Sequence, residues 1–187
     1  MPAGLERAYL DNVERMTVCK NQIIQHPGAV TDAIYFIEKG AYRLYEDREG
    51  NNFTYGFRIE DDFILALKEL NPDPRYVDGI QSLEDGVLWR IPGSLIADLQ
   101  NESMHFQFHY RIIMSRDAVH SRQSMRCSLR DGGSDNYRSL SKYSPRLLQR
   151  IPIPYLAEFT GIPENLFRHL HSSSINLNLS TKRRRKR

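Results

Sequence analysis

The sequence predicts an α+β protein: an antiparallel β-roll of the jelly-roll kind, then a long helix and a small helical domain. Short apolar strands separated by turns run to about residue 92, residues 95–130 contain no Gly or Pro, and Pro and Gly punctuate the chain again after residue 131. Strands of about four to eight residues separated by turns are typical of antiparallel rolls. The predicted parts are a roll over 1–95, a connecting helix over 96–130, a helical domain over 131–172 and a disordered basic tail over 173–187.

The predicted strands begin with a stretch rich in Ile, Tyr and Phe over residues 34–46, which Lys39-Gly40 divides into two. Further strands are predicted at 53–57, 63–67 and 87–91. Pro92-Gly93-Ser94 then starts a helix, with Ser94 as the expected N-cap.

The connecting helix is predicted from apolar residues that recur with helical spacing between residues 95 and 114. A helix of this length cannot bury its apolar stripe on one small roll. We therefore expect a homodimer, with the long helix of a second copy as the partner.

Charge is distributed unevenly along the chain, although the formal net charge is only +3. Residues 1–140 hold 16 Lys and Arg against 21 Asp and Glu, whereas residues 141–187 hold ten against two. A basic second part predicts contact with a polyanion. The six basic residues at 182–187 carry much of this excess, and a merely solvated tail is the alternative interpretation.

The segment 154–170 has the layout of a helix-turn-helix, in which the second helix enters the major groove of double-stranded DNA. Pro154 opens the first helix, the small Ala157 permits close helix crossing, Gly161 supplies a left-handed turn, and Pro163 opens the second helix. Arg and Asn side chains are suited to reading guanine and adenine edges. The predicted DNA-binding residues are Tyr155, Thr160, Glu164, Asn165, Arg168 and His169. An ordinary helical hairpin is the alternative.

Catalytic and metal-binding motifs are absent from the sequence, so we do not expect an enzyme, a metal site or a cofactor. His105 and His109 have the spacing of helical zinc ligands, but no third ligand is evident. Cys19 and Cys127 stand alone, which indicates reduced thiols. No apolar stretch approaches the ~20 residues of a membrane helix and no secretory signal is visible, so the cytoplasm is the expected compartment.

Three stretches resemble the CRP/FNR-type transcription regulators, in one of their shorter forms. These are Ile34–Gly40 with Arg43-Leu44-Tyr45, residues 80–85, and residues 137–152 leading into the helix-turn-helix. The resemblance implies a cyclic-nucleotide-binding-like roll, a dimerising helix and a DNA-binding helix-turn-helix.

The sequence departs from the members of this family that bind cyclic AMP. Those members hold the phosphate with a Gly-Glu pair at a short helix and an Arg several residues later, whereas residues 63–67 here have neither Gly nor Glu. We therefore predict that the roll does not bind cyclic AMP. The effector is unknown, and Arg58, Arg75 and Tyr76 are the candidate effector-binding residues. Iron–sulfur sensing is not expected either, because only Cys19 lies near the N-terminus.

The helix-turn-helix also departs from the family pattern, because one residue is missing between Ile162 and the second helix. Either Leu166 or Phe167 must then turn into the core. No winged hairpin is visible afterwards. A ligand-sensing or protein-interaction module with a degenerate helix-turn-helix is therefore the alternative to a DNA-binding regulator, and a cupin-like enzyme is disfavoured because His26 stands alone in the roll.

Overall fold

The structure is a computed structural model that describes residues 11–29, 31–67, 70, 78–128 and 133–184. The strands are β1 (Glu14–Val18), β2 (Ile23–Gln25), β3 (Ala33–Lys39), β4 (Tyr42–Arg48), β5 (Asn51–Arg58), β6 (Phe63–Ala66), β7 (Gly79–Ser82) and β8 (Gly86–Pro92). The helices are α1 (Gly93–Glu102), α2 (Met104–Ser128), α3 (Gly133–Tyr143), α4 (Pro145–Arg150), α5 (Ile153–Thr160) and α6 (Glu164–Arg184). The described residues divide into two compact units between Ser121 and Arg122, inside α2. The predicted α+β fold class is confirmed.

The first unit is a roll of two four-stranded antiparallel sheets, with the orders β1-β8-β3-β6 and β2-β7-β4-β5. Residues from both sheets form one apolar core: Val18, Ala33, Tyr35, Ile37, Tyr42, Leu44, Ile64, Ala66, Ile80 and Leu88. The predicted strand pair on either side of Lys39-Gly40 is present as β3 and β4.

Strand β3 is buried on both faces, which explains why its apolar residues do not alternate regularly in sequence. Tyr35 and Ile37 belong to the roll core, whereas Ile34 joins a second cluster with Leu67 and Ile96. Phe106 and Tyr110 of α2 pack against this second cluster. The part of the outer sheet face around Ile34 is therefore covered by helices rather than by water.

The turn between β3 and β4 depends on glycine. Gly40 has φ +109°, and a Cβ added at Gly86 would lie 2.4 Å from the hydroxyl of Tyr42 and 2.5 Å from the carbonyl oxygen of Lys39. Neither position can carry a side chain without local rearrangement.

The predicted uninterrupted helix after residue 95 is wrong, because the helix breaks at Ser103. Ser103 has extended backbone angles, its N–H donates to the Leu99 carbonyl, and its hydroxyl accepts from the Phe106 N–H at 3.2 Å. Ser103 thus caps the start of α2 in the way that serine favours at an N-cap. The predicted cap at Ser94 is also wrong, since Pro92 precedes the first helical residue and makes no side-chain cap bond.

The second unit is a cluster of helices around the aromatic pair Tyr137 and Phe167, whose ring centroids lie 5.3 Å apart. Its buried apolar residues include Tyr137, Leu140, Ile151, Leu156, Ala157, Phe159, Ile162 and Phe167. A buried hydrogen bond from the Asn136 side chain to the Thr160 carbonyl, 2.9 Å long, joins α3 to the end of α5.

Helix α6 continues past residue 172, although the sequence predicts a disordered tail from residue 173. No Gly or Pro follows Pro163, so nothing in the backbone interrupts the helix before Arg184. The predicted helix stop at Asp131-Gly132 and the last three basic residues, 185–187, lie outside the described residues.

Replacing Phe167 by Ala should destabilise the second unit by about 3–5 kcal/mol, because it leaves a cavity at a fully buried aromatic position. Leu166→Ala is the matched control: Leu166 is 42% exposed, so its truncation should cost less than about 1 kcal/mol. Hydrogen exchange of the α3 and α5 amides measures both effects. Equal loss of protection in the two variants would mean that the helix register is different.

Candidate functional site

The turn of the helix-turn-helix is built by Gly161, which adopts the left-handed conformation with φ +64°. The N–H of Ile162 donates to the Ala157 carbonyl at 3.0 Å, and the N–H of Gly161 donates to the Glu158 carbonyl at 3.1 Å. Together with the buried Ile162, these bonds form a Schellman-type end to α5.

The register of α6 is set by Phe167, which resolves the alternative left open by the shortened motif. Phe167 is fully buried while Leu166 is 42% exposed. With Phe167 in the core, Glu164, Asn165, Arg168 and His169 are all exposed at the start of α6. The chain therefore brings together on one helix end the four residues predicted to approach bases.

Arg168 is held by an ion pair on the same helix. Its Nε and Nη2 atoms donate to Oε1 of Glu164 at 2.9 and 2.6 Å, and the two side chains are 57% and 45% exposed. The pair is solvated and four residues apart, so it contributes only a few tenths of a kcal/mol, roughly 0.3–0.5. A phosphate or a guanine edge can therefore replace Glu164 at little cost.

The sequence predicts that Thr160 contacts DNA, but the structure places this residue completely inside the core. Its hydroxyl donates back to the Leu156 carbonyl at 2.7 Å, as threonine commonly does within a helix. Thr160 therefore supports the core under the turn. Tyr155 is half-buried on α5.

Further basic side chains lie on the surface of the second unit. Arg138 is 80% exposed and pairs with Asp135 on α3, and the charged group of Lys142 lies 5.1 Å from the ring centre of Tyr143. Arg126, near the end of α2, lies 6.0 Å from the same ring.

A second candidate site is a cavity of about 220 Å³ in the first unit. Its described lining residues are Gln25, Leu44, Tyr55, Arg58, Ile64, Leu65, Ala66, Leu70, Asp78, Ile80, Asp117 and Ser121. Leu44, Ile64, Ala66 and Ile80 belong to the roll core, whereas Asp117 and Ser121 come from α2. Of the predicted effector residues, Arg58 is in the wall, and Arg75 and Tyr76 lie outside the described residues.

Arg58 and Asp117 form an ion pair in this wall, with Nη2 donating to Oδ1 at 2.7 Å. Their side chains are 6% and 31% exposed. Nη1 of Arg58 donates to the Phe57 carbonyl at 3.1 Å. The buried Nε atom has no hydrogen-bond partner among the described residues.

Tyr55 and Asp78 form a second polar pair in the wall. The residue surface of Tyr55 is 37% exposed, but its hydroxyl is engaged with the Asp78 carboxylate. Burial raises the pKa of Asp78, the Tyr55 hydrogen bond opposes this, and the negative charges of Glu46 and Asp117 raise it further. Burial, with Asp78 beside it, also raises the pKa of Tyr55 well above its ordinary value.

Sequence analysis missed Tyr55, Asp78 and Asp117, because they come from distant parts of the chain. One signal for Asp117 was available: it is an acidic residue on the face of α2 that carries Ile113 and Met114, where an apolar residue is expected.

Asp62 makes a further contact between the roll and α2. Its Oδ1 atom lies 3.1 Å from Nε2 of His120 and 3.7 Å from Nη2 of Arg116. Burial acts to raise the pKa of Asp62, but the hydrogen bond and charge of His120, with the charge of Arg58, outweigh it and lower the pKa.

Asp78→Asn should change how the stability of the roll depends on pH. A folded-state pKa above the unfolded value of about 3.9 stabilises the fold at low pH, and this contribution is lost as pH rises through the raised pKa. The Asp78→Asn variant has no carboxyl group at this position and does not lose stability in this way. The melting temperature of the variant minus that of wild type should therefore increase between pH 4 and pH 7. Fluorescence of Trp89, the single tryptophan, reports melting of the roll.

The exposed Asp98 on α1 provides the control for this measurement. Asp98→Asn should leave the pH dependence of melting unchanged. If the melting temperatures of Asp78→Asn and wild type change with pH in the same way, Asp78 is not desolvated in the folded state.

Neither a metal cluster nor a membrane span is found in the part of the chain that the structure describes. No group of three or more His, Cys, Asp or Glu side chains is arranged to hold a metal ion. No described helix is long and apolar enough to cross a membrane.

Comparison with known families and structures identifies both parts of the fold. The family profile of the cyclic nucleotide-binding domain matches residues 15–103. No curated protein matches the chain in sequence.

Three solved structures illustrate the similarity over the whole chain. A protein described as a CRP/FNR-family transcriptional regulator from Eubacterium rectale is 15% identical, with a TM-score of 0.71 over 91% of this chain and 82% of that one. The c-di-GMP-responsive global regulator CLP of Xanthomonas campestris is 13% identical, with a TM-score of 0.68 over 95% and 93%. FixK2 of Bradyrhizobium japonicum is 12% identical, with a TM-score of 0.67 over 89% and 86%.

At these identities the similarity establishes the fold alone, and it confirms the resemblance drawn from the sequence. Residues 15–103 match the profile of the cyclic nucleotide-binding domain, and the fold of the chain is similar to that of a CRP/FNR-family transcriptional regulator.

Proposed function

We propose that this chain is a DNA-binding transcription regulator rather than an enzyme, and that α5 and α6 are its DNA-binding helix-turn-helix. One observation carries the proposal, namely that the buried Phe167 sets the register of α6. Because of this register, the start of the helix, just after the Gly161 turn, exposes Glu164, Asn165, Arg168 and His169 together. In a helix-turn-helix, the residues at the start of the second helix contact base edges.

Charge and fold support this proposal independently. Residues 141–187 hold ten basic against two acidic residues, which favours attraction to phosphates. Two of the similar structures named above, those from Eubacterium rectale and Xanthomonas campestris, are described as regulators.

The alternative is a sensor or interaction module whose helix-turn-helix no longer reads DNA. The Glu164–Arg168 ion pair favours it, because Glu164 places a negative charge where a phosphate or base must approach. The two functions differ in one measurable property, the salt-dependent affinity of α6 for duplex DNA.

We also propose that the chain forms a homodimer through α2. Four of the exposed apolar side chains of this helix carry the proposal, with exposed fractions of 80% for Met104, 57% for Phe108, 43% for Ile112 and 41% for Val119. Their spacing places them along one side of the helix. A second α2 with the same stripe would cover them, as expected for a symmetric dimer.

The roll cavity is proposed not to bind cyclic AMP. Asp78 and Asp117 are among its lining residues, and Arg58 is already paired with Asp117. A cyclic phosphodiester placed there meets negative charge, because the described wall offers no second cation.

Arg168→Ala should weaken binding to a duplex containing the target site by about 1–3 kcal/mol, because a bidentate arginine contact to a base edge is worth that much. Fluorescence anisotropy with duplex selected from random sequence, at fixed salt, measures the effect.

Arg138→Ala is the matched control for Arg168, since Arg138 is also exposed and paired with a nearby acid in the same unit. The control should retain nearly the affinity of wild type. If Arg168→Ala and Arg138→Ala bind the duplex equally well, α6 does not read DNA through Arg168.

Phe108→Glu should convert the dimer into a monomer, because it places a charge in the middle of the exposed apolar stripe. Sedimentation velocity at micromolar concentration measures the mass. Gln107→Glu adds the same charge at an exposed position of α2 to one side of this stripe and should leave the dimer intact. A wild-type chain that sediments as a monomer would refute the proposed dimer.

A further inference from the structure

The wall of the roll cavity combines apolar side chains with several polar groups, and small-molecule sites use both kinds of contact to bury and orient a ligand. Leu44, Ile64, Ala66 and Ile80 supply apolar lining. The volume of about 220 Å³ suits a compound of one ring with substituents rather than a nucleotide dimer.

Arg58 supplies the first specific feature of this wall. The residue is 5% exposed, and its Nε–H donates to no acceptor within the described part of the chain. A buried donor without a partner costs about 1–3 kcal/mol. Nη1 donates to the Phe57 carbonyl and Nη2 to Asp117, so Nε is the guanidinium nitrogen that has no acceptor in the described part of the chain and can donate to a ligand.

Asp78 supplies the second feature. Asp78 lines the cavity, and its carboxyl group is hydrogen-bonded by Tyr55 and lies near the negative charges of Glu46 and Asp117. The only described cation in the lining, Arg58, is engaged with Asp117. The wall therefore carries a carboxylate that a ligand cation can neutralise.

We propose that the roll cavity binds a small organic cation, an amidinium or ammonium compound that also carries a hydrogen-bond acceptor. The cation pairs with Asp78, and the acceptor receives the Nε–H of Arg58. The apolar part of the ligand packs against the aliphatic side chains of the cavity.

A ligand bound there also touches α2, because Asp117 and Ser121 form part of the same wall. This link makes the cation a candidate effector, a role that rests on the proposed regulatory function. Binding itself does not, and it can be measured without DNA.

The test uses the full chain and three probes in calorimetric titrations. para-Carbamoylbenzamidine carries both groups, benzamidine lacks the carbonyl acceptor, and para-carbamoylbenzoate replaces the amidinium with a carboxylate of the same size. We expect the dissociation constant of para-carbamoylbenzamidine to be at least about tenfold lower than that of either analogue.

Two variants test the assignment of the cation to Asp78. Asp78→Asn should weaken binding of para-carbamoylbenzamidine at least about tenfold, while Asp98→Asn, on the exposed side of α1, should not change it. Melting followed by Trp89 fluorescence verifies that both variants are folded. If Asp78→Asn does not fold, the relative affinities of the three probes for the wild-type chain still test the proposal.

Three outcomes would overturn the proposal: para-carbamoylbenzoate binding as tightly as the amidinium, no binding of para-carbamoylbenzamidine at millimolar concentration, or tighter binding of cyclic AMP than of the amidinium. None of these bears on duplex binding by α6. The failure of this inference is therefore distinguishable from failure of the proposed DNA-binding function.

Discussion

The ion pair between Arg58 and Asp117 is the buried polar contact that ties α2 to the roll. It joins the end of β5 to the middle of α2 at 2.7 Å, with Arg58 almost completely buried. Removing one partner from a buried pair leaves an uncompensated charge, which costs about 3–5 kcal/mol in a dry interior. The partial exposure of Asp117 reduces that cost here. Asp62 with His120 and the packing of Phe106 on the sheet hold the same helix.

This attachment gives the roll cavity a wall that belongs partly to a strand and partly to α2. Any molecule that competes for Arg58 or Asp117 acts directly on the contact between roll and helix. A ligand shifts such an equilibrium only by its difference in affinity for the two arrangements. The exposed Met104, Phe108 and Ile112 lie on this same helix, so the proposed effector site and dimer interface share one structural element.

Much of the fold could be predicted from sequence, because strand and turn signals are local. Lys39-Gly40 marked the β3–β4 turn, and Gly161 marked the end of α5. The helix break at Ser103 was not predicted, because a long run without Gly or Pro indicates an unbroken helix. In the structure the hydroxyl of Ser103 caps a new helix within that run. Periodicity could not decide between Leu166 and Phe167, since both are apolar and adjacent; packing against Tyr137 selects Phe167. The cavity wall unites residues about 60 positions apart, such as Arg58 and Asp117, which no local pattern reveals.

The proposed regulatory function requires that α6, rather than the basic C-terminus, binds DNA. The most direct measurement compares duplex affinity of the full chain with that of a chain lacking residues 182–187, across a salt series. We predict that binding persists without these residues, falls with salt, and shows a smaller salt slope because fewer phosphates are neutralised. Complete loss of binding on their removal, with the rest of the chain folded, would contradict the account and favour a sensor or interaction module.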